Sequence, residues 1–233
     1  MSTHSVGIRD VIKARVMARR VRFHLFDHFD PARTAVIVID MQATFCAAGA
    51  PAEVPLSRGL VPQINRLNTL VRDAGGHVIW VNHANENTNG RSDWDGFYNT
   101  FVADDVRAQT IASMAPGSPG QEIWEGLDVA ARDIQLIKNR YSALIPGSSA
   151  LERVLRSLGV ETLLNTGTNN NVCCESAARD AMMMDFQVVM VEDATATLSD
   201  DEHRAALETI IQQFGDVMTV DDVAARLGKE APA

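Results

Sequence analysis

The stretch Thr162-Leu163-Leu164-Asn165-Thr166-Gly167-Thr168-Asn169-Asn170-Asn171-Val172-Cys173-Cys174-Glu175-Ser176-Ala177-Ala178-Arg179-Asp180-Ala181 decides how the whole chain is read. Thr162 to Asn165 is an apolar run of strand type, and Cys174 to Asp185 carries small and apolar residues at helical spacing. A strand that ends in Gly and polar residues and then opens into a helix puts the first helical residues at the carboxyl edge of a sheet, where open α/β folds bind ligands. A thiol placed there lies near unpaired amides and the positive end of the helix dipole, and both favour thiolate over thiol. Cys173 is therefore the candidate nucleophile.

Working outward, Thr34 to Asp40 is a β-branched run of the kind found in central parallel strands covered on both faces, with Asp40 at its end. His77 to Val81, Ile134 to Ile137 (ending at Lys138), Gln187 to Val191 and Val217 to Thr219 read as further strands. Between them the pattern predicts a helix from a Ser57 cap to about Ala74, and a short one from Gln121 to Leu127. Others run from Ser148 or Ser149 to a Gly159 stop, from Asp200 to Phe214, and from Val220 to Leu227 before a polar tail. Asn82 to about Pro119 reads as a long polar loop, and loops of that length are usually functional or disordered. Strands alternating with helices need crossover connections, so the fold class is α/β, a three-layer, doubly wound, six-stranded parallel sheet. Residues 34–233 make one domain. Residues 1–33 form a basic arm in which Arg9, Lys13, Arg15, Arg19, Arg20 and Arg22 outnumber the acids. Ile8 to Phe23 fits an amphipathic helix packed on the domain or on a neighbouring subunit. A transit peptide shares the Arg richness but not this stretch's poverty in Ser.

Composition narrows the function. With 46% hydrophobic and 22% charged residues in 233, the chain is an ordinary soluble protein, and a formal charge of −9 argues against nucleic acid or an anionic membrane as main partner. No run is long enough to span a bilayer. Three cysteines, Cys46, Cys173 and Cys174, do not make a disulfide framework and point to a reducing, cytoplasmic setting.

In this topology Asp40, Lys138 and Cys173 all stand at strand ends, a plausible acid/base, cation and nucleophile set. The motifs Ala35-Val36-Ile37-Val38-Ile39-Asp40-Met41-Gln42 with Phe45, Lys138-Asn139-Arg140-Tyr141-Ser142-Ala143, and Gly167 through Cys173-Cys174-Glu175-Ser176 to Arg179-Asp180-Ala181 resemble the isochorismatase-like cysteine hydrolases. Arg140-Tyr141-Ser142 and the Glu192-Asp193-Ala194-Thr195 strand end are most similar to the ureidoacrylate amidohydrolase branch. That resemblance implies a Rossmann-like sheet and a metal-independent hydrolase that cleaves a C–N bond of a small amide, ureido or carbamoyl compound without a cofactor. It implies Cys173 as nucleophile, Asp40 as general base and then acid, and Lys138 as the cation holding both in register. The backbone amides of Asn169 and Cys173 would form the oxyanion hole, the first aimed by a cis peptide at Thr168-Asn169.

Asn169, Asn170 and Ala177 depart from the family's usual small residue and threonines, and Asn170 makes the pocket floor more polar. Isochorismate-type hydrolysis and a catalytically silent small-metabolite binder are the alternatives, although isochorismate-type enzymes lack the cysteine. Nicotinamidases of this fold bind a metal through an Asp-x-His element with further histidines. Asn82-His83-Ala84-Asn85-Glu86 lacks the spaced partners, so no metal is expected, and Asn82 and His83 read instead as contacts to a polar substrate. Tyr141 and Trp80 are candidate pocket walls. Trp94, Phe97, Tyr98 and Phe101 suit a lid, a subunit contact or a short packed helix, and a homo-oligomer is expected.

Overall fold

Every residue from Thr34 to Ile39 is buried, which is what two covered faces demand of a strand. Ala35, Ile37 and Ile39 face one apolar layer while Val36 and Val38 face the other. Burying a side chain of this size contributes roughly 1.5–3 kcal/mol, so the alternation fixes the strand in register between two helical layers. The computed structural model describes residues 3–89 and 91–228. The polar tail expected beyond the last helix lies outside the described residues from 229 onward.

The chain runs through α1 (Asp10–Arg20), β1 (Thr34–Ile39), α2 (Ala43–Cys46), α3 (Val61–Asp73) and β2 (His77–His83). A small hairpin, β3 (Asn87–Thr88) and β4 (Arg91–Ser92), precedes α4 (Asp95–Phe101), α5 (Asp104–Ser113), β5 (Ile134–Lys138) and α6 (Leu151–Leu158). β6 (Thr162–Thr168) then enters a wide π-type turn at Asn170–Cys174, followed by α7 (Glu175–Met183) and β7 (Gln187–Ala196). Last come α8 (Asp200–Thr209), prolonged by a second such turn at Ile210–Phe214, β8 (Asp216–Met218) and α9 (Val220–Ala224). The six-stranded sheet has the order β5-β2-β1-β6-β7-β8, with all its strand pairs parallel. From β1 the chain winds outward through β2 to β5, then crosses back to β6 on the other flank. The direction of winding therefore reverses between β1 and β6, and a crevice opens there at the strands' carboxyl ends.

Several local expectations give way to tertiary contacts. The helix expected from Ser57 starts at Val61, because Pro55 to Leu60 form a tight 3-10 turn and Pro62 sits in the first helical turn, where its missing N–H costs nothing. Of the helix expected from Gln121 to Leu127 only Gln121 is helical, as the end of a 3-10 turn that begins at Pro119. Ala43 N–H donates to the Glu122 carbonyl at 2.9 Å and Trp124 N–H to the Met41 carbonyl at 2.8 Å, so this segment pairs with the chain leaving β1 instead. Asn82 to Pro119 is not one loop: β2 continues to His83, and the insert folds as β3, β4, α4 and α5. The last helix is shorter than expected, ending at Ala224, and β7 is longer, running on through Glu192 and Asp193 to Ala196. The basic N-terminal stretch, by contrast, packs on the domain, one of the two placements its amphipathic pattern allows. Ile8, Ile12 and Val16 join the same apolar layer as α6 and α7, and Arg9 pairs with the buried Glu208 of α8 at 2.5 Å.

Candidate active site

Three strand ends deliver three reactive side chains to the crevice. Asp40 follows β1 with φ of +53°, a left-handed turn that Asp tolerates better than bulky residues, and its N–H donates to the Val81 carbonyl at 3.0 Å. Lys138 is the last residue of β5. Cys173 lies in the π-type turn after β6, where the Asn169 carbonyl accepts the amides of Val172 and Cys174 at 3.1 Å each, passing over that of Cys173 between them. The Thr168-Asn169 peptide just upstream is cis. β6 comes this close to β1 because position 167 is glycine: its φ is +102°, and a Cβ there would stand 2.0 Å from the Ile39 carbonyl oxygen.

Nζ of Lys138 is 2.9 Å from Oδ2 of Asp40 and 3.6 Å from Sγ of Cys173. Asp40 and Lys138 are fully buried and Cys173 is 4% exposed. Neither carboxylate oxygen of Asp40 has a well-aligned hydrogen-bond partner among the described residues, which leaves both with capacity to accept a proton. Burial pushes the Asp40 carboxyl up against the opposing pull of Lys138. Burial also works to lower Lys138, but the attraction of Asp40 and of the sulfur outweighs it and the amine ends above its ordinary value.

The thiol departs from the sequence argument. A helix start favours thiolate, yet burial first and the Asp40 carboxylate second push Cys173 far up, and the nearby ammonium does not cancel them. At rest the sulfur is a protonated thiol beside a carboxylate, so the base must take the proton as the sulfur reacts.

His83 is not a substrate contact in this arrangement. It is 3% exposed, and both ring nitrogens are occupied: Nδ1 lies 3.1 Å from the Lys138 ammonium, and Nε2 lies 2.6 Å from Oδ1 of Asn85. Burial and then the Lys138 charge lower its pKa to about 3, so the ring is neutral. With no free nitrogen and a cation alongside, it does not suit a metal either, and among the described residues no three His, Cys, Asp or Glu side chains group as a metal site. Successive strand residues point to opposite faces, so with His83 turned to Lys138 its neighbour Asn82 points away from it. Asn170 commits its amide nitrogen to α8, while its Oδ1 is buried without a partner among the described residues. It is fully buried, and its Nδ2 is 3.0 Å from Nδ1 of His203 on α8. Trp80 lies in the opposite apolar layer with its Nε1 donating to Asp133 at 2.8 Å. Tyr141 packs edge-on against Trp94 with ring centres 4.8 Å apart, and its hydroxyl is raised chiefly by burial.

The sequence alone leaves the aromatic residues of the insert between a lid, a subunit contact and a short packed helix; what it does not disclose is how the insert is tied down beside the site. Asp93 accepts from Nδ2 of Asn85 (2.7 Å) and from Nδ2 of Asn139 (2.9 Å), while its carbonyl accepts from Arg140 (2.8 Å), which ties the insert to the loop after Lys138. Trp94 is held over His83, with ring centres 5.9 Å apart, against Tyr141 at 4.8 Å and Phe97 at 4.7 Å. Gln42 ties two strand ends together. Its side chain accepts the His83 N–H at 2.6 Å and donates to the His83 carbonyl at 2.9 Å, locking the end of β2 to the end of β1. Only a lone Gln after a strand-end Asp signals this in the sequence.

The chain is similar to several known proteins. Over 215 residues the chain is 31% identical to the ureidoacrylate amidohydrolase RutB of Caulobacter vibrioides, covering 87% of this chain and 95% of that one. A solved cysteine hydrolase from Pseudomonas syringae superposes with a TM-score of 0.77 at 29% identity, covering 88% and 96% of the two chains. An isochorismatase family protein from Desulfovibrio vulgaris superposes with a TM-score of 0.69 at 29% identity, covering 83% and 99%. The isochorismatase domain pattern matches residues 34–222, a span that includes the Asp40, Lys138 and Cys173 strand ends, and the chain belongs to the isochorismatase family of hydrolases.

Proposed function

We propose that the protein is a metal-independent cysteine amidohydrolase that cleaves a C–N bond of a small polar amide, ureido or carbamoyl compound. The observation that carries this reading is the single ammonium, Lys138, in contact with both the Asp40 carboxylate and the Cys173 sulfur at the crevice between β1 and β6. Likeness to a ureidoacrylate amidohydrolase supports the ureido and carbamoyl end of that range.

In this mechanism the Cys173 sulfur attacks the substrate carbonyl carbon as its proton passes to Asp40. Lys138 keeps carboxylate and sulfur in one place and offsets the negative charge that moves between them. The amides of Asn169 and Cys173 receive the oxyanion, an interaction in which one donor is typically worth ~3 kcal/mol. Collapse breaks the C–N bond, the departing nitrogen takes the proton from Asp40, and a thioester remains on Cys173. Asp40 then deprotonates a water that attacks the thioester, and the thiol is regenerated with release of the acid. Trp94 and Tyr141 exclude bulk water and favour a flat, small substrate.

A panel of ureas, carbamoyl acids and carboxamides scored by ammonia release tests the reading, with Cys173→Ala as control. Turnover of at least one ureido or carbamoyl compound by the parent and none by the variant is the expected result. Hydrolysis that survives Cys173→Ala refutes it.

A further inference from the structure

The Lys138 ammonium has three protons to donate, and four groups surround it. Oδ2 of Asp40 is at 2.9 Å, Nδ1 of His83 at 3.1 Å, the Arg140 carbonyl at 3.1 Å and Sγ of Cys173 at 3.6 Å. The three that hydrogen-bond to it, Nδ1 of His83, the Arg140 carbonyl and Sγ of Cys173, account for every N–H, and the Asp40 carboxylate stands beside it as the ion-pair partner. One of those three, His83, is a side chain whose ability to accept depends on its proton state and tautomer. An imidazole accepts at Nδ1 only if it is neutral and carries its proton on Nε2. Nε2 lies 2.6 Å from Oδ1 of Asn85, an oxygen that can only accept, so the proton is on Nε2. The orientation of the Asn85 amide is fixed in turn: Oδ1 also accepts from the Tyr98 hydroxyl at 2.9 Å, while Nδ2 donates to Asp93 at 2.7 Å and to the Asn139 carbonyl at 3.2 Å. Asn85, Asp93 and Tyr98 all belong to the segment that follows β2 and closes the site.

We propose that His83 is a positioning residue for the Lys138 ammonium: a neutral Nε2–H imidazole whose Nδ1 holds one Lys138 proton, with its tautomer set by Asn85, Tyr98 and Asp93 of the insert. The insert is thereby coupled to the cation, and its hold on Asn85 helps to orient Lys138 between Asp40 and Cys173. This rests on the reading above in that it takes Lys138 to serve the reaction at Cys173. It adds a role for a ring that does not itself touch the reacting atoms.

Two measurements test it. Asn places an acceptor oxygen where His has Nδ1, whereas Leu has a similar volume and no acceptor. On a substrate found in the panel, His83→Leu lowers kcat by about tenfold, the scale of one lost hydrogen bond to a charged donor, and leaves KM within about twofold. His83→Asn recovers kcat to within about threefold of the parent. Equal kcat in the two variants, or a rise in KM with kcat unchanged, overturns the proposal; the second result would mark His83 as a substrate contact. Independently of any substrate, 15N NMR of the full chain labelled at histidine, with the His83 signals assigned by their loss in His83→Asn, finds the His83 ring protonated at Nε2 and not titrating between about pH 5 and pH 9, and Asn85→Ala removes that fixed tautomer. A His83 ring protonated at Nδ1, or titrating in that range, overturns it. Because the NMR result needs no turnover, it separates failure of this proposal from failure of the amidohydrolase reading.

Discussion

The Lys138 ammonium and the Asp40 carboxylate face each other at 2.9 Å with neither side chain exposed to solvent. Two charges withdrawn from water lose most of their hydration, and their mutual attraction only offsets that loss. Removing one partner leaves the other charge buried alone, a change that typically costs ~3–5 kcal/mol. Lys138→Met and Asp40→Asn should each shift the urea midpoint strongly downward, while the double variant, with neither charge, recovers much of the loss and stays inactive. Strictly additive losses in the double variant would show that the pair is not coupled.

Thiol alkylation should respond to Asp40 in a direction opposite to activity. Burial and the Asp40 carboxylate both hold the Cys173 thiol up, while Lys138 pulls it down. In Asp40→Asn the repelling carboxylate is gone and the ammonium is left facing the sulfur, so more of the thiol ionises at a given pH. Iodoacetamide, followed by mass spectrometry at about pH 7, should label Cys173 faster in Asp40→Asn than in the parent, although the variant hydrolyses nothing. Slower labelling in the variant would contradict the geometry.

Gly167 is the point of closest approach between the two strands that frame the crevice. A Cβ there would meet the Ile39 carbonyl oxygen at 2.0 Å and the Ile39 nitrogen at 2.8 Å, and the residue's φ of +102° is one that L side chains rarely adopt. Gly167→Ala must therefore part β1 from β6 or distort the turn that carries Cys173. We expect a loss of ~3 kcal/mol or more in unfolding free energy, measured by urea denaturation, together with loss of turnover. A variant as stable and as active as the parent would mean that the two strands can move apart freely.

Much of this architecture was legible because it is written in short-range patterns. The alternation of Ala35, Ile37 and Ile39 against Val36 and Val38 declares a two-faced central strand, and the strand–glycine–helix order around Cys173 declares a carboxyl-edge site. The site's charge balance was not legible. The helix-start argument for a thiolate is local, whereas burial in the apolar layer that includes β1 and the field of Asp40 come from residues far along the chain. Asn170 and His83 were misread for a related reason: a polar residue near a strand end looks like a ligand contact until its partner is known. Those partners, His203 and Asn85, lie in segments whose packing a single sequence does not disclose. The same holds for Gln121 to Leu127, where pairing with Met41 and Ala43 overrides helical propensity.

Acid stability should depend on two histidines held neutral inside the fold. Burial is the chief cause in both: His83 is lowered to about 3, with the Lys138 charge adding to it, and His203 to about 4, with His4 adding to it. The groups facing His203 are Asn170 at 3.0 Å, the His4 ring stacked at 4.1 Å, and the Asp200 carboxylate, which opposes the shift. Once the chain unfolds, each ring returns to a pKa near 6.5. Below that value the unfolded chain binds protons that the folded chain refuses, so stability rises with pH across the window. The contribution is fully present above about pH 6.5 and is lost as pH falls toward the folded values. For His203 alone, a fall from 6.5 to about 4 amounts to ~3 kcal/mol at the acid end. Replacing it by Gln, which keeps a polar partner for Asn170 but cannot titrate, should flatten the fall in urea midpoint between about pH 6.5 and pH 4 relative to the parent. If the parent and His203→Gln lose stability along the same slope, His203 is already protonated in the folded protein, and the Asn170 contact that anchors the turn before Cys173 is not the one described.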